Sequence, residues 1–189
     1  MADTQVNTLL DLAMLCLTTA VTGNPNPPAN FCRRLDLQVA HDVDLWTDLC
    51  CEGLAYVSFG DVFPSWDAFP EPTLVTQANY GSCSIPAWAV QVRMGIIRCI
   101  PSGTDTTMPS CEEWDAASRQ QADDSQALRA ATCCFRQQIV SESDATGPFW
   151  GMSTVIGTQS QIQLQGGCVE RNVQITVQMP NCDCFILSG

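Results

Sequence analysis

The chain contains no lysine. All eight basic residues are arginine, against 20 acidic ones, and the formal net charge is −12. Nucleic-acid binding needs a basic stripe, and apart from Arg33-Arg34 no basic residues adjoin. That excludes a DNA-binding groove, although an acidic wall that repels DNA would suit a passage for it. Exclusive use of arginine also fits a GC-rich coding sequence, which is the plainer reading. Histidine is nearly absent: any Ser-His or Cys-His catalysis would have to use His41. There is no Gly-x-Ser-x-Gly elbow, no glycine-rich phosphate loop and no dinucleotide fingerprint. No catalytic residue, cofactor or bound metal is therefore expected. The most apolar run, Leu9 to Val21, is interrupted by Asp11 and is too short to cross a bilayer. No Lys or Arg precedes it, and Asp3 stands where a signal peptide needs positive charge. The run reads as a helix of a protein made in the cytoplasm, with no membrane partner.

What is abundant is cysteine, twelve in 189 residues. A chain of this length forms one domain, 1–189, and buries enough surface to fold without staples. No Cys-x-x-Cys occurs, so neither a zinc knuckle nor a thioredoxin-like site has its usual spacing. Three explanations stay open: small buried apolar residues, disulfides, or a metal site. Synthesis in the cytoplasm favours thiols at first, and a particle that leaves the cell could oxidise them later. Cys50-Cys51 and Cys133-Cys134 are vicinal pairs. Neighbours on a helix or strand point in different directions, so each pair can place one thiol inward and one outward. Cys99 and Cys111 flank one loop and form the candidate disulfide.

Helical spacing of Leu9, Leu10, Ala13, Leu17 and Ala20 predicts a helix from Thr4 to Thr22. Gly23 and the prolines behind it end that helix. A loop-rich stretch runs to Cys51. Gly53 to Phe59 alternates as a strand. The aromatic, proline-rich loop from Phe63 to Pro72 cannot pair into a sheet centre. Trp88 to Ile100 is the clearest strand. Trp88, Val90, Val92, Met94 and Ile96 share one face, and both faces turn apolar from Gly95. Ser110 and Glu113 make a capping box for a helix from Cys111 to Val140, striped by Trp114, Ala117, Leu128, Ala131, Phe135 and Ile139. Thirty residues span about 45 Å, so part of it is expected to project or meet a neighbour. Val155 to Leu164 and Val169 to Met179 alternate around a Gly166-Gly167 turn. The strict alternation of the second predicts an antiparallel pair with one wet face. The order is helix, strand, strand, long helix, strand, strand. The expected class is α+β: a mixed, mostly antiparallel sheet of about four strands flanked by the N-terminal helix and the long helix.

His41, Asp42, Asp44 and Asp48 lie close together, but without the glycine-bearing spacing of a calcium loop; a solvated loop is the plainer reading. Protruding loops commonly carry contacts. Phe63, Trp66 and Phe69 of the proline-rich loop, and Asp105 in the polar loop from Pro101 to Ser110, are thus candidate interface residues. The alternative for the three aromatics is that they seal the domain's own core.

Several segments in order resemble one family. They are Asp48-Leu-Cys-Cys-Glu-Gly-Leu-Ala-Tyr-Val, Phe63-Pro-Ser-Trp-Asp-Ala-Phe-Pro-Glu-Pro, Trp88-Ala-Val-Gln-Val-Arg-Met-Gly-Ile-Ile-Arg-Cys, Pro109-Ser-Cys-Glu-Glu-Trp, Ala131-Thr-Cys-Cys-Phe, Gly166-Gly-Cys and the closing Val173-Gln-Ile-Thr-Val-Gln-Met-Pro-Asn-Cys. From Cys32 to Cys184 the chain is similar to the cysteine-rich tail terminator proteins of long-tailed actinobacteriophages, in the head-to-tail connector region. The resemblance implies a mixed sheet flanked by helices and a hexameric ring in the virion neck, assembled in the host cytoplasm. Such a ring caps the tail tube protein, ends tail polymerisation and meets the head-completion or stopper protein, while DNA passes through the lumen without specific binding. The alternatives are another neck protein, a stopper or adaptor, and, from a different class, a cysteine-based metal-binding or redox module.

Overall fold

The computed structural model describes residues 4–35, 52–73, 87–101, 103, 108–141, 151–164 and 167–180. Helix α1 spans Thr4–Val21, as its spacing predicts. Strand β1 (Asn30–Leu35) follows the proline-rich turn. Then come β2 (Leu54–Pro64), β3 (Ala87–Cys99), the long helix α2 (Cys111–Ser141), β4 (Ser153–Gln163) and β5 (Cys168–Pro180).

The five strands form one sheet in the order β1-β2-β3-β5-β4. Strand β1 runs parallel to β2, and the other three pairings are antiparallel. The class is α+β, with one strand more than expected. The additional strand, β1, lies in the stretch read as loop: Asn-Phe-Cys-Arg-Arg-Leu has no alternation, and its conformation comes from pairing with β2 rather than from its own pattern.

Both helices pack on one face of the sheet. Ala55 and Val57 of β2, Val90, Val92, Met94 and Ile96 of β3, and Val173, Ile175 and Val177 of β5 meet Leu9, Ala13 and Leu17 of α1 and Leu128, Phe135 and Ile139 of α2. Period-two strands and period-3.6 helices thus direct their apolar residues into one shared layer. The Cys16–Cys134 disulfide ties the helices together across 118 residues of chain.

A buried ion pair fixes α2 to β3. Arg98 Nε donates to Asp124 Oδ2 and Arg98 Nη2 to Asp124 Oδ1, each at 3.0 Å. Nη2 also donates to the Asn26 carbonyl at 2.8 Å, tying in the proline-rich turn. Gly53 has φ +83°, and a Cβ there would run into Arg98 Nη1. Glycine is therefore required at Gly53 both by its backbone and by its neighbour.

The capping box at α2 forms as read. Glu113 N donates to Ser110 Oγ at 3.2 Å, and Ser110 N donates to Glu113 Oε2 at 2.7 Å. Burial along α2 begins at Gln121. The first turns stand clear of the sheet, and Trp114, expected in the apolar stripe, is 45% exposed.

Strand β5 corrects the expectation of one wet face. Glu170, Asn172 and Thr176, the polar half of its alternation, are buried, as are Val173, Ile175 and Val177 opposite. The helices cover one face, and on the other the Tyr56 ring reaches across from β2 to Glu170. Strand β4, at the sheet edge, has mostly exposed side chains.

Candidate interaction surfaces

The sheet face turned away from the helices is polar around a small apolar nucleus of Leu54, Tyr56, Ile97 and Cys168. Tyr56, Gly95 and Asn172 stand in one row across β2, β3 and β5. A Cβ at Gly95 would lie 2.5 Å from the Tyr56 ring, so the glycine is what lets the ring cross β3. The ring carries its hydroxyl to Glu170, donating to Oε1 at 2.5 Å. Asn172 Nδ2 donates to the same oxygen, also at 2.5 Å. This buried network ties β2 to β5. The sequence hid it, because Glu170 and Asn172 sit on the half of the alternation that reads as solvent-facing. A glycine opposite a tyrosine is a signal that becomes visible once the register is known.

Next to this network, Arg93, Asn172, Gln174, Thr158, Ser160 and Ile162 line a shallow hollow of about 370 Å³. It is open and formed mostly by uncharged polar groups, so it lacks the enclosed apolar character of small-molecule sites.

The candidate interface residues fall into two groups. Phe63 is part of β2, opposite Ala89; it is half-buried, as are Trp66 and Phe69 in the segment that follows. That segment is tied down: Ser65 Oγ donates to the Glu71 carbonyl at 2.8 Å, and Thr73 N donates to the Pro64 carbonyl at 2.8 Å. Gln178 Nε2 of β5 donates to the Ser65 carbonyl at 2.9 Å. It is a folded segment fastened to the sheet, with its aromatics neither sealed off nor free. Asp105 lies outside the described residues, as do His41, Asp42, Asp44 and Asp48.

The cysteines resolve in part. Cys134 points inward to its disulfide with Cys16, and its neighbour Cys133 is exposed and free, so this vicinal pair divides as helical geometry requires. Cys50 and Cys51 lie outside the described residues. The candidate Cys99–Cys111 bridge is corrected: Cys111 is a free, exposed thiol, whereas Cys99 is disulfide-bonded. Cys168 is also disulfide-bonded, and the register sets Cys99 and Cys168 opposite each other. Ile100 N donates to the Gly167 carbonyl. Cys99 and Cys168 are thus a non-hydrogen-bonded pair, where facing side chains come closest. Loop adjacency in sequence misled the expectation, because Cys111 starts a helix whose first turns leave the sheet. Among the described residues no group of three or more His, Cys, Asp or Glu side chains could hold a metal ion, and no helix is long and apolar enough to cross a membrane.

Exposed large apolar side chains are spread over the surface: Leu15 on α1, Val62 on β2, Val140 near the end of α2, and residues of the sheet edges and of the start of α2. Phe31 is on β1, Val155, Ile156 and Ile162 are on β4, and Met108 and Trp114 are beside or on α2. The fold and its surfaces define an α+β protein with helices on one face of a five-stranded sheet. Neither protein-family models nor curated protein sequences gave a match to the chain.

Proposed function

We propose that this chain is a structural protein of a phage virion, a tail terminator whose subunits form a ring on the end of the tail tube, stop its growth and join it to the head-completion proteins. The ordered segments described above support this reading. The observation that carries it is the distribution of exposed apolar residues over unlike elements, Phe31 on β1 against Val155, Ile156 and Ile162 on β4. A subunit that closes a ring by rotation needs two different faces, each complementary to the other. The disulfides that hold Cys16, Cys134, Cys99 and Cys168 suit a particle that leaves the reducing cytoplasm. A net charge of −12 per subunit would line a lumen that lets DNA slide without adhering.

The test is the solution mass by light scattering on a size-exclusion column, with and without the matching tail tube protein. A closed ring that decorates tubes at their ends is the expected result. A ring that ignores tubes would transfer the reading to a neighbouring neck protein, a stopper or an adaptor.

A further inference from the structure

The two edges of the sheet differ in chemistry. Strand β4 is eleven residues long, and no other described strand pairs with its outer side. Natural edge strands are protected by charge, proline or shortness. Strand β4 has a bulge between Ile156 and Gln159 but neither a charge nor a proline, and no charged residue occurs between Asp144 and Glu170. The hydrogen-bond phase identifies its free groups. Leu164 N donates to the Cys168 carbonyl. By antiparallel alternation, Ser160 and Ile162 also direct their backbone groups to β5, and Gln161 and Gln163 turn theirs outward. At the other edge, β1 is six residues long, carries Arg33 and Arg34, and exposes Phe31.

We propose that the outer edge of β4 takes the β1 edge of a second copy of this chain, in antiparallel pairing, so that the sheet continues from subunit to subunit. This deepens the ring reading and rests on it. Three observations select the occupant. Strand directions alternate so that a rotated copy presents β1 antiparallel to β4 with both sets of helices on the same side. Copies each carrying −12 repel unless they meet where unpaired carboxylates are absent; β4 has none, and the carboxylates beside β1 are held within the subunit, Asp11 by Arg33 and Glu52 by Asn30. Exposed Phe31, on the helix side of β1, supplies apolar surface to set against Ile156 on the helix side of β4.

Two variants test this on the oxidised full-length chain. Gln161→Pro removes an outward N–H and spares the backbone bonds to β5, at the loss of the exposed side-chain bond from Arg171 Nη2 to Gln161 Oε1; proline is tolerated on an edge. Phe31→Lys places a charge on the opposite edge. Each variant alone should fall from the wild-type mass to the single-chain 20.5 kDa with its melting temperature retained, and an equimolar mixture should give a pair of twice that mass. A wild type that is monomeric at high concentration, or a Gln161→Pro variant that keeps the wild-type mass, overturns the proposal. A Phe31→Lys variant that assembles like the wild type also overturns it, and points to β4 pairing with β4. A wild-type ring that persists in both variants sinks the edge pairing and leaves the ring standing; open chains that do not close, with the mixing result intact, do the reverse.

Discussion

Strands β4 and β5 are neighbours in one hairpin, similar in length and alike in sequence alternation, yet they live in different environments. Ile156 of β4 and Ile175 of β5 are register partners. They carry the same side chain, but Ile156 is 40% exposed and Ile175 is fully buried. On the other face Ile162 of β4 opposes Glu170 of β5. There the apolar residue is exposed and the acidic one buried, the reverse of what either residue alone would suggest. Position in the sheet decides: β5 has a strand on each side and α2 across one face, whereas β4 has β5 on one side, no described strand on the other and a polar contact with α2 through Gln159 and Ser125. An alternating pattern marks a strand, and its neighbours determine which half of the pattern gets wet.

The largest effect that tests this contrast is truncation of the isoleucine pair. Ile175→Ala should cost about 2–5 kcal/mol, because it leaves a cavity in the layer under the helices. Ile156→Ala should cost less than about 1 kcal/mol, since it removes contacts only in part. Urea unfolding midpoints of the two variants measure the difference. Equal losses would mean that β4 is covered in the folded subunit, and the contrast between the strands would fail.

A smaller effect lies on the opposite face. Tyr56→Phe deletes one of the two donors to Glu170 Oε1 and should cost about 1–3 kcal/mol, the range for an unsatisfied buried group. For a domain of this size that lowers the melting temperature by roughly 2–4 °C per kcal/mol. Ile162→Ala, across from Glu170 on β4, should shift it by much less. If Tyr56→Phe is neutral while folding stays intact, the polar face is wetter than its burial indicates, and the reading of β5 as a two-sided interior strand is wrong on that face.

The same contrast explains how much of the fold was legible. Helices α1 and α2 announced themselves through periodicity and through the Ser110–Glu113 box, since both depend on local spacing. Strand β3 was legible to within a residue at each end because its apolar alternation is long and uninterrupted. Strand β1 was not, because Asn-Phe-Cys-Arg-Arg-Leu becomes a strand by pairing with a segment more than twenty residues away. The Arg98–Asp124 pair and the Tyr56–Glu170–Asn172 network were invisible for the same reason: each joins residues 26 or 114 positions apart, and no local pattern encodes such distances. The disulfide at Cys134 was half legible. Vicinal geometry predicted one inward thiol, and its partner in α1 emerged only from the packing of the helices.

The smallest expected effect concerns the bulge by which β4 meets β5. The register shifts between Ile156 and Gln159, and Gly157 sits so close to β5 that a Cβ would lie 2.9 Å from the Gln174 carbonyl oxygen. That oxygen belongs to backbone in an interior strand and cannot step aside, so any relief must come from β4. Gly157→Ala should therefore lift the bulge away from β5 and leave the interior in place. Global stability should fall by about 1 kcal/mol or less, while amide exchange across β4 quickens and that of β5 towards β3 stays slow. Exchange that quickens equally in both strands would show that β4 and β5 open as one unit, and edge and interior would then differ in exposure but not in stability. Slow exchange in both would mean that the alanine is accommodated, and that the bulge is a loose feature of the edge rather than the clamp its close approach suggests.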